Sequence, residues 1–268
     1  MIEFILLLLA GLIGGLLAGL SGIGTGIIML AVIPFALQAN DIPEEYFVSL
    51  TIANTVFATM MSSFVNVITS IRSQGFYKRE TIWISLSAMT VAFITFETIV
   101  KSSFYSKELF TAIIILYLIA IVVQVFRKLK LSNVLAEKIT KGKMAMTGVA
   151  AGLVAALTGL GGGTVVVPLL NLWMRVDIKK AKTISFGTIF AISLLLSINN
   201  VLLEPDSGIT GTVGLILLPV IIPLGIGVVI GSPLGVLLGE KLSSRTITII
   251  FLIMTSVVII EKLVAIVL

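Results

Sequence analysis

The sequence is dominated by long apolar segments separated by short polar loops. Only 12% of its 268 residues are charged, about half the share in an ordinary soluble domain. Most segments reach the roughly 20 residues that a helix needs to cross a bilayer, and none shows the alternating polarity of outer-membrane strands. We therefore predict an all-α integral membrane protein. The apolar segments lie at residues 2–20, 23–38, 47–71, 81–100, 108–126, 143–160, 164–174, 183–203, 210–239 and 246–268.

The first apolar segment is predicted to be a retained membrane helix. The chain begins "MIEFILLLLAG", with Glu3 and no Lys or Arg before the run of apolar side chains, whereas a secretory signal has a positively charged leader. We therefore expect residues 1–20 to remain part of the protein.

The composition excludes several classes of chemistry. The chain has no His and no Cys, which removes imidazole and thiolate metal sites, Cys nucleophiles, disulfides and His proton relays. We predict no catalytic residue, no metal and no cofactor, and hence not an enzyme. The net charge of +5 lies mostly in loops, so it indicates membrane topology rather than nucleic-acid binding.

Two glycine-rich stretches, at 11–26 and 148–163, resemble each other at an offset of 137 positions, with eight of sixteen residues identical. In each, a glycine turn is followed by an apolar segment too short for a full span. Residues 2–38 and 143–174 are thus predicted to form helical hairpins. Each hairpin either dips to mid-membrane and returns or crosses twice, and in both cases its two ends lie on one side.

The charges of the loops predict the topology. Loops 39–46 and 204–209 contain Asp or Glu and no cation. Cation-rich loops stay in the cytoplasm, and loop 101–107, with Lys101 and Lys107, is the one that fits this assignment poorly. The cation-rich loops placed inside are 72–80, 127–143, 175–182 and 240–245.

Each half then has one hairpin and three spans, an odd number of net crossings, so the second half is inverted relative to the first. We predict two inverted-topology repeats in the cytoplasmic (inner) membrane, with both termini outside. Many secondary transporters have this architecture, with the substrate site near the midplane. Repeat 1 covers 1–126 (hairpin 2–38, spans 47–71, 81–100 and 108–126), a basic cytoplasmic linker covers 127–142, and repeat 2 covers 143–268 (hairpin 143–174, spans 183–203, 210–239 and 246–268).

The glycines of the hairpins are predicted to have two roles. Along the helices, Gly11, Gly15 and Gly19 recur every four residues, as do Gly148, Gly152 and Ala156, which is typical of close helix packing. At the tips, a glycine turn leading into a helix start leaves N–H groups free to bind an anion. The predicted tip ligands are Ser21, Gly22, Gly24, Thr25, Gly26, Thr158, Gly159, Gly161, Gly162, Gly163 and Thr164.

Uncharged polar residues also follow single faces of two equivalent spans, 47–71 and 183–203. Such groups suit an oxyanion pathway, because they donate hydrogen bonds without trapping the ion. The alternative is that they hold helices together, as Ser, Thr and Asn do in many membrane proteins. The candidate substrate ligands among them are Asn54, Asn66, Ser185, Thr188 and Asn200.

Two further features concern the remaining spans. Glu97 lies inside a predicted span, but it stands four residues before Lys101 near the predicted outer end. We therefore favour an i,i+4 ion pair over a proton-coupling role. Span 210–239 has a glycine every four residues from Gly227 to Gly239, together with three prolines. This indicates a kinked, tightly packed helix, either central or at the contact of a homodimer.

The segments "AGLSGIGTG" (18–26) and "AALTGLGGGTVVVPLL" (155–170) resemble the duplicated signature of the TauE/SafE family, also called the sulfite exporter family. "DIKKAKTISFGT" (177–188) is similar to the segment that follows this signature. The resemblance implies a small anionic sulfur substrate, such as sulfite or sulfoacetate, exported across the cytoplasmic membrane.

The sequence leaves two alternatives to an exporter open. One is an uptake permease for a related anion, since direction depends on gradients and coupling. The other is a non-transporting structural or assembly subunit. The expected partners are the lipid bilayer and the anion, without nucleic acid.

Overall fold

The protein is described here by a computed structural model covering residues 2–40, 42–73, 75–102, 104–129, 139–203 and 209–267. Much of the predicted linker 127–142 and most of loop 204–209 lie outside the described residues.

The first half of the chain contains five α-helices. Helices α1 (Ile2–Ser21) and α2 (Gly26–Ala39) form the first hairpin. A 3₁₀ turn (Glu44–Tyr46) leads into α3 (Phe47–Ser73). Helix α4 (Lys78–Thr95) widens into a π-helical turn (Phe96–Val100), and α5 (Lys107–Leu129) follows.

The second half repeats this order of elements. Helix α6 (Lys141–Thr158) and the short α7 (Gly163–Pro168) form the second hairpin, and α7 continues into a π-helical turn (Leu169–Trp173). Helix α8 (Ile178–Leu202) is followed by a small β-hairpin of β1 (Thr212–Val213) and β2 (Ile216–Leu217). Helices α9 (Leu218–Lys241) and α10 (Ser244–Val267) complete the chain.

Six helices of the described chain are long and apolar enough to cross a membrane, which supports the predicted multi-pass α-helical membrane protein. By contrast, α2 has only 14 residues and is too short for a full span. The six candidate spans are Ile2–Ser21, Glu44–Ser73, Lys78–Val100, Ile178–Leu202, Leu218–Lys241 and Arg245–Val264.

The two ends of each helical hairpin lie next to each other. In the first, the amide of Asn40 donates a hydrogen bond of 3.0 Å to the carboxylate of Glu3. In the second, the ammonium of Lys143 lies 5.5 Å from the ring centroid of Trp173. These contacts join the two open ends of each hairpin.

The predicted span 210–239 starts later than the sequence suggested. Residues 212–217 form the β-hairpin, and the helix begins only at Leu218, with Pro219 in its first turn. The Leu215 N–H donates to the carbonyl of Asn200 at 2.9 Å, which ties the hairpin to the end of α8. Gly214, with φ of +58°, makes the tight turn that a continuous helix could not contain.

The longest helix contacts are made by the predicted glycine stripes. Helix α1 packs along α9, and α4 packs along α6. A methyl group added at Gly15 would lie 2.5 Å from the Val228 carbonyl oxygen on α9. At Gly152, a methyl group would collide with the Ala88 carbonyl oxygen on α4. Small residues therefore let these backbones approach closely, as membrane helices commonly require.

Replacing Gly152 by Ala is expected to destabilise the protein, because overpacking a close contact costs about 1–3 kcal/mol. Gly142 offers a matched control on the same helix, since a methyl group there meets no atom within 4 Å. We expect a lower apparent melting temperature in detergent for Gly152→Ala and no loss for Gly142→Ala. Equal melting temperatures for the two variants would contradict the packing role.

Candidate functional site

The two hairpin tips meet in the interior of the protein. We call residues 21–26 the first tip and residues 158–164 the second tip. A methyl group at Gly26 would lie 2.7 Å from the Cα of Leu160, and one at Gly163 would lie 2.6 Å from the carbonyl oxygen of Ile23. The start of α2 thus contacts the second tip, and the start of α7 contacts the first.

The meeting point lies halfway along the helices that enclose it. A methyl group at Gly161 would lie 2.6 Å from Thr59 on α3 and 3.0 Å from Ile189 on α8. Thr59 is the thirteenth of the 27 residues of α3, and Ile189 is the twelfth of the 25 residues of α8. In spans of this length, the midpoint corresponds to the middle of the bilayer.

The tips present backbone N–H groups that the protein does not use. Among the hydrogen bonds of the described residues, none is donated by the backbone N–H groups of residues 23–27 or 161–164. Free N–H groups are normal at a helix start, but these are deep in the protein: Thr25 and Thr164 are each only 1% exposed. Buried N–H groups without a partner are costly, so such a place favours water or an anion.

Backbone geometry and helix charge add to this effect. Gly24 has φ of +93° and Gly161 has φ of +74°, a conformation that L side chains rarely adopt. The starts of helices carry partial positive charge from the aligned peptide dipoles. Helix starts and glycine turns of this kind are the backbone features with which many proteins bind anions.

The hydroxyl groups of the tips are held by specific partners. The Thr25 hydroxyl lies 3.2 Å from that of Thr59, and the Tyr117 hydroxyl donates to Thr164 at 2.6 Å. The Ser21 hydroxyl donates back to the Leu17 carbonyl. The Thr158 hydroxyl donates to the Val154 carbonyl and accepts the N–H of Leu160. Ser21 and Thr158 thus stabilise helix ends, whereas Thr25 and Thr164 lie at the starts of α2 and α7.

The remaining tip glycines shape the turns. Gly22, Gly159 and Gly162 all have positive φ, and Gly22 and Gly159 directly follow α1 and α6. The carbonyl of Gly22 accepts a hydrogen bond of 2.7 Å from Ser185 on α8. Ser185 is therefore the residue that connects the polar face of α8 to the first tip.

The predicted polar residues of α3 and α8 are buried, and the two helices pack against each other. We call these polar residues the polar seam. The amide of Asn66 donates to Ser62, which in turn contacts Ser232 on α9 at 2.9 Å, and Thr188 donates to the Ile184 carbonyl. Several other polar atoms of the seam form no hydrogen bond with the described residues. They are the hydroxyls of Thr51, Thr55 and Ser197, the Asn66 side-chain oxygen, and both side-chain atoms of Asn200.

Asn54 has a structural role in this conformation. Its amide donates to the Leu50 and Leu215 carbonyls at 2.8 and 3.1 Å, and its oxygen accepts the Leu217 N–H at 2.9 Å. The side chain thus fastens the β-hairpin to α3. The amide nitrogen and the oxygen of Asn54 are therefore both engaged within the protein.

Two residues beside the tips were not singled out by the sequence. Tyr117 reaches Thr164 from α5, and no local pattern marks it. Lys182 belongs to the predicted basic loop 175–182, yet it is the fifth residue of α8 and only 1% exposed. The signal for Lys182 was the helix cap: Asp177 accepts the N–H groups of Lys179 and Lys180, so the helix starts before Lys182.

The predicted Glu97–Lys101 ion pair is present. The two groups are 2.6 Å apart, and about a third of each side chain is exposed. Asn199 also donates to Glu97 at 3.1 Å. Glu97 is thus held by Lys101 and Asn199.

Comparisons with known proteins identify relatives of the whole chain. The family model described as "Sulfite exporter TauE/SafE" matches residues 7–261. A probable membrane transporter protein of Methanocaldococcus jannaschii is 22% identical over 251 residues, covering 92% of each chain. A probable membrane transporter protein of Haemophilus influenzae is 28% identical over 186 residues, covering 68% of this chain and 67% of its own. No solved structure gives a significant match.

The side chain of Asn54 is hydrogen-bonded, whereas that of Asn200 is not, and this difference can be tested by replacing each with leucine. Leucine has a similar size and no hydrogen-bonding atoms. Asn54→Leu leaves buried backbone groups of the β-hairpin unpaired, at about 1–3 kcal/mol each, so the melting temperature should fall. Amide hydrogen exchange at Leu217 should also become faster. Asn200→Leu removes two unpartnered polar atoms, and its melting temperature should be maintained or raised. Unchanged exchange at Leu217 in Asn54→Leu would refute the fastening role.

Proposed function

Since the chain belongs to the sulfite exporter TauE/SafE family of membrane transporters, we propose that it is a secondary transporter of small sulfur-containing oxyanions or organosulfonates. Sulfite and sulfoacetate represent the substrate class. We propose export across the cytoplasmic membrane, with the anion bound at the midplane between the two tips.

The observation that carries this proposal is the meeting of two buried helix starts with free N–H groups. Backbone in the hydrocarbon region must be satisfied internally unless it lines a cavity or a binding site. Discontinuous helices pointing their N-termini at an anionic group are a recurring solution in secondary transporters. Here residues 23–27 and 161–164 supply such N–H groups from both halves.

The helix contacts support an inverted repeat. In that reading α1 corresponds to α6 and α9 corresponds to α4. Exchanging the two halves then converts the observed pair of α1 and α9 into the observed pair of α6 and α4. Helices α3 and α8 correspond to each other and pack together, as do α5 and α10. Such a pairing is expected of two halves related by a twofold axis in the membrane plane.

The polar seam supplies a route to and from the tips. It runs along α3 and α8, the two helices that enclose the meeting point, and its polar atoms are uncharged. Thr51, Thr55, Ser197 and Asn200 retain hydrogen-bonding capacity that the described protein atoms do not use. A passing oxyanion can exchange hydrogen bonds along such a route without meeting a fixed countercharge strong enough to hold it.

The membrane potential can drive export without a coupled ion. Moving one negative charge outward across a membrane gains about 2.3 kcal/mol per 100 mV, and a dianion gains about twice that. In the proposed orientation both termini are outside, and the basic linker 127–142 is cytoplasmic.

Ligand-dependent thermal stability tests the substrate class. A ligand that binds only the folded protein raises its melting temperature as its concentration rises. We expect a saturable rise with sulfite, thiosulfate or sulfoacetate, and none with chloride or with the zwitterion taurine at equal ionic strength. Thr25→Val removes a hydroxyl at the tip and should weaken the effect severalfold. Thr69→Val, which removes a half-buried hydroxyl on α3 that bonds Val65, should not. A wild-type protein that no sulfur anion stabilises would contradict the proposed substrate.

Flux in proteoliposomes tests the mechanism. Vesicles loaded with radiolabelled sulfite should lose it faster when a potassium diffusion potential makes their interior negative, because the anion then moves down the electric field. Empty vesicles and Thr69→Val protein serve as controls. Accumulation driven only by an imposed ion gradient would favour an uptake permease. Absence of protein-dependent flux would favour a structural subunit.

A further inference from the structure

Lys182 is a buried cation beside the first tip. It lies in the second turn of α8, inside a candidate membrane span, and it is 1% exposed. It is among the largest side chains that the protein buries completely. Lysine is almost never fully buried without a partner, so this position needs an explanation.

Two glycines make room for this side chain. A methyl group at Gly22 would lie 2.6 Å from Cγ and 2.9 Å from Cβ of Lys182. A methyl group at Gly239 would lie 2.5 Å from the ammonium nitrogen. The stem of Lys182 therefore crosses the first tip, and its ammonium reaches the last turn of α9. A side chain at either glycine would displace it.

The ammonium has no bonding partner among the described residues. Lys182 Nζ is buried and forms no hydrogen bond with the described residues, and none of the ion pairs found among them includes it. Two charged groups act on it through space: Glu240 on α9 favours its charge and Lys179 on α8 opposes it. The C-terminal ends of α1 and α9 add partial negative charge nearby. These influences are weaker than a direct pair, and an unpaired buried charge is costly.

We propose that the Lys182 ammonium is the charged group that attracts the substrate oxyanion to the side of the first tip that faces the end of α9, from which the ion passes to the N–H groups of the tip. This inference rests on the proposed anion transport and adds the residue that attracts the ion. Ser185, three residues further along α8, already holds the Gly22 carbonyl. Lys182 and the first tip are therefore fixed relative to each other by the same helix.

A lysine at this position predicts how the site discriminates between anions. An ammonium is a point charge that can turn toward an oxyanion of any shape, unlike the planar fork of arginine. Binding should therefore depend more on the charge of the ligand than on its shape. A dianion such as thiosulfate should bind more tightly than a monoanion such as methanesulfonate.

A purely structural role makes the opposite prediction for stability. If Lys182 only neutralises the ends of α1 and α9, replacing it by a neutral side chain should destabilise the protein and leave anion binding intact. If Lys182 is instead unpaired until an anion binds, replacing it removes an unpaired buried charge. The melting temperature without ligand should then stay the same or rise. The stabilisation by anions should then be lost.

The experiment compares Lys182→Met with Lys78→Met by thermal stability titrations in detergent. Methionine keeps the length of the stem without its charge. Lys78 serves as the control, since it is an exposed lysine in the first turn of α4. For Lys182→Met we expect the apparent Kd for thiosulfate to rise at least about tenfold, and the preference for thiosulfate over methanesulfonate to disappear. Lys78→Met should behave like the wild type.

The outcomes separate this inference from the proposed function. Unchanged thiosulfate affinity in Lys182→Met would overturn the role of Lys182 while the transporter proposal stands. If the wild type responds to phosphate or nitrate but not to sulfur anions, and Lys182→Met abolishes that response, the role of Lys182 stands and the sulfur substrate fails. A wild type that no anion stabilises would overturn both.

Discussion

A backbone that is interrupted in the middle of a membrane has to find its hydrogen bonds within the protein or its ligand. In the proposed arrangement this constraint governs the structure, because both hairpins turn beside the midpoints of α3 and α8 and their N–H groups find no acceptor there among the described residues. Helices α3 and α8 enclose the turns, and each tip covers part of the other. Protein surrounds the tips in place of lipid but supplies no acceptors for these N–H groups among the described residues, so the region suits a bound anion.

The close contacts among the helices keep the two tips enclosed. Along α1 and α9, and along α4 and α6, backbone meets backbone because small residues face each other. Association of helices in a bilayer depends on packing rather than on the exclusion of water. The same small residues that allow close packing along the helices allow tight turns at the tips, so one composition serves both parts of each hairpin.

The sequence predicted what depends on neighbouring residues. Continuous apolar segments gave the spans, i,i+4 spacing gave the glycine stripes and the Glu97–Lys101 pair, and the glycine turns gave the hairpins. Contacts between distant segments could not be predicted from the sequence. The bonds of Asn54 to Leu215 and Leu217 cross about 160 positions, and they fold a predicted helical stretch into a β-hairpin. Lys182 was read as a loop charge because only tertiary packing shows that it is buried.

The pairing of α1 with α9 also has a consequence for the order of assembly. The chain is made from its N-terminus. Helix α1 is therefore made first, but its partner α9 lies about 200 positions later. The glycine face of α1 must meet lipid during most of synthesis. Helix α6 needs α4, which is already in the membrane when α6 emerges. Two contacts that are alike in the finished protein thus form at different times, and the packing of the first helix is completed only late in synthesis.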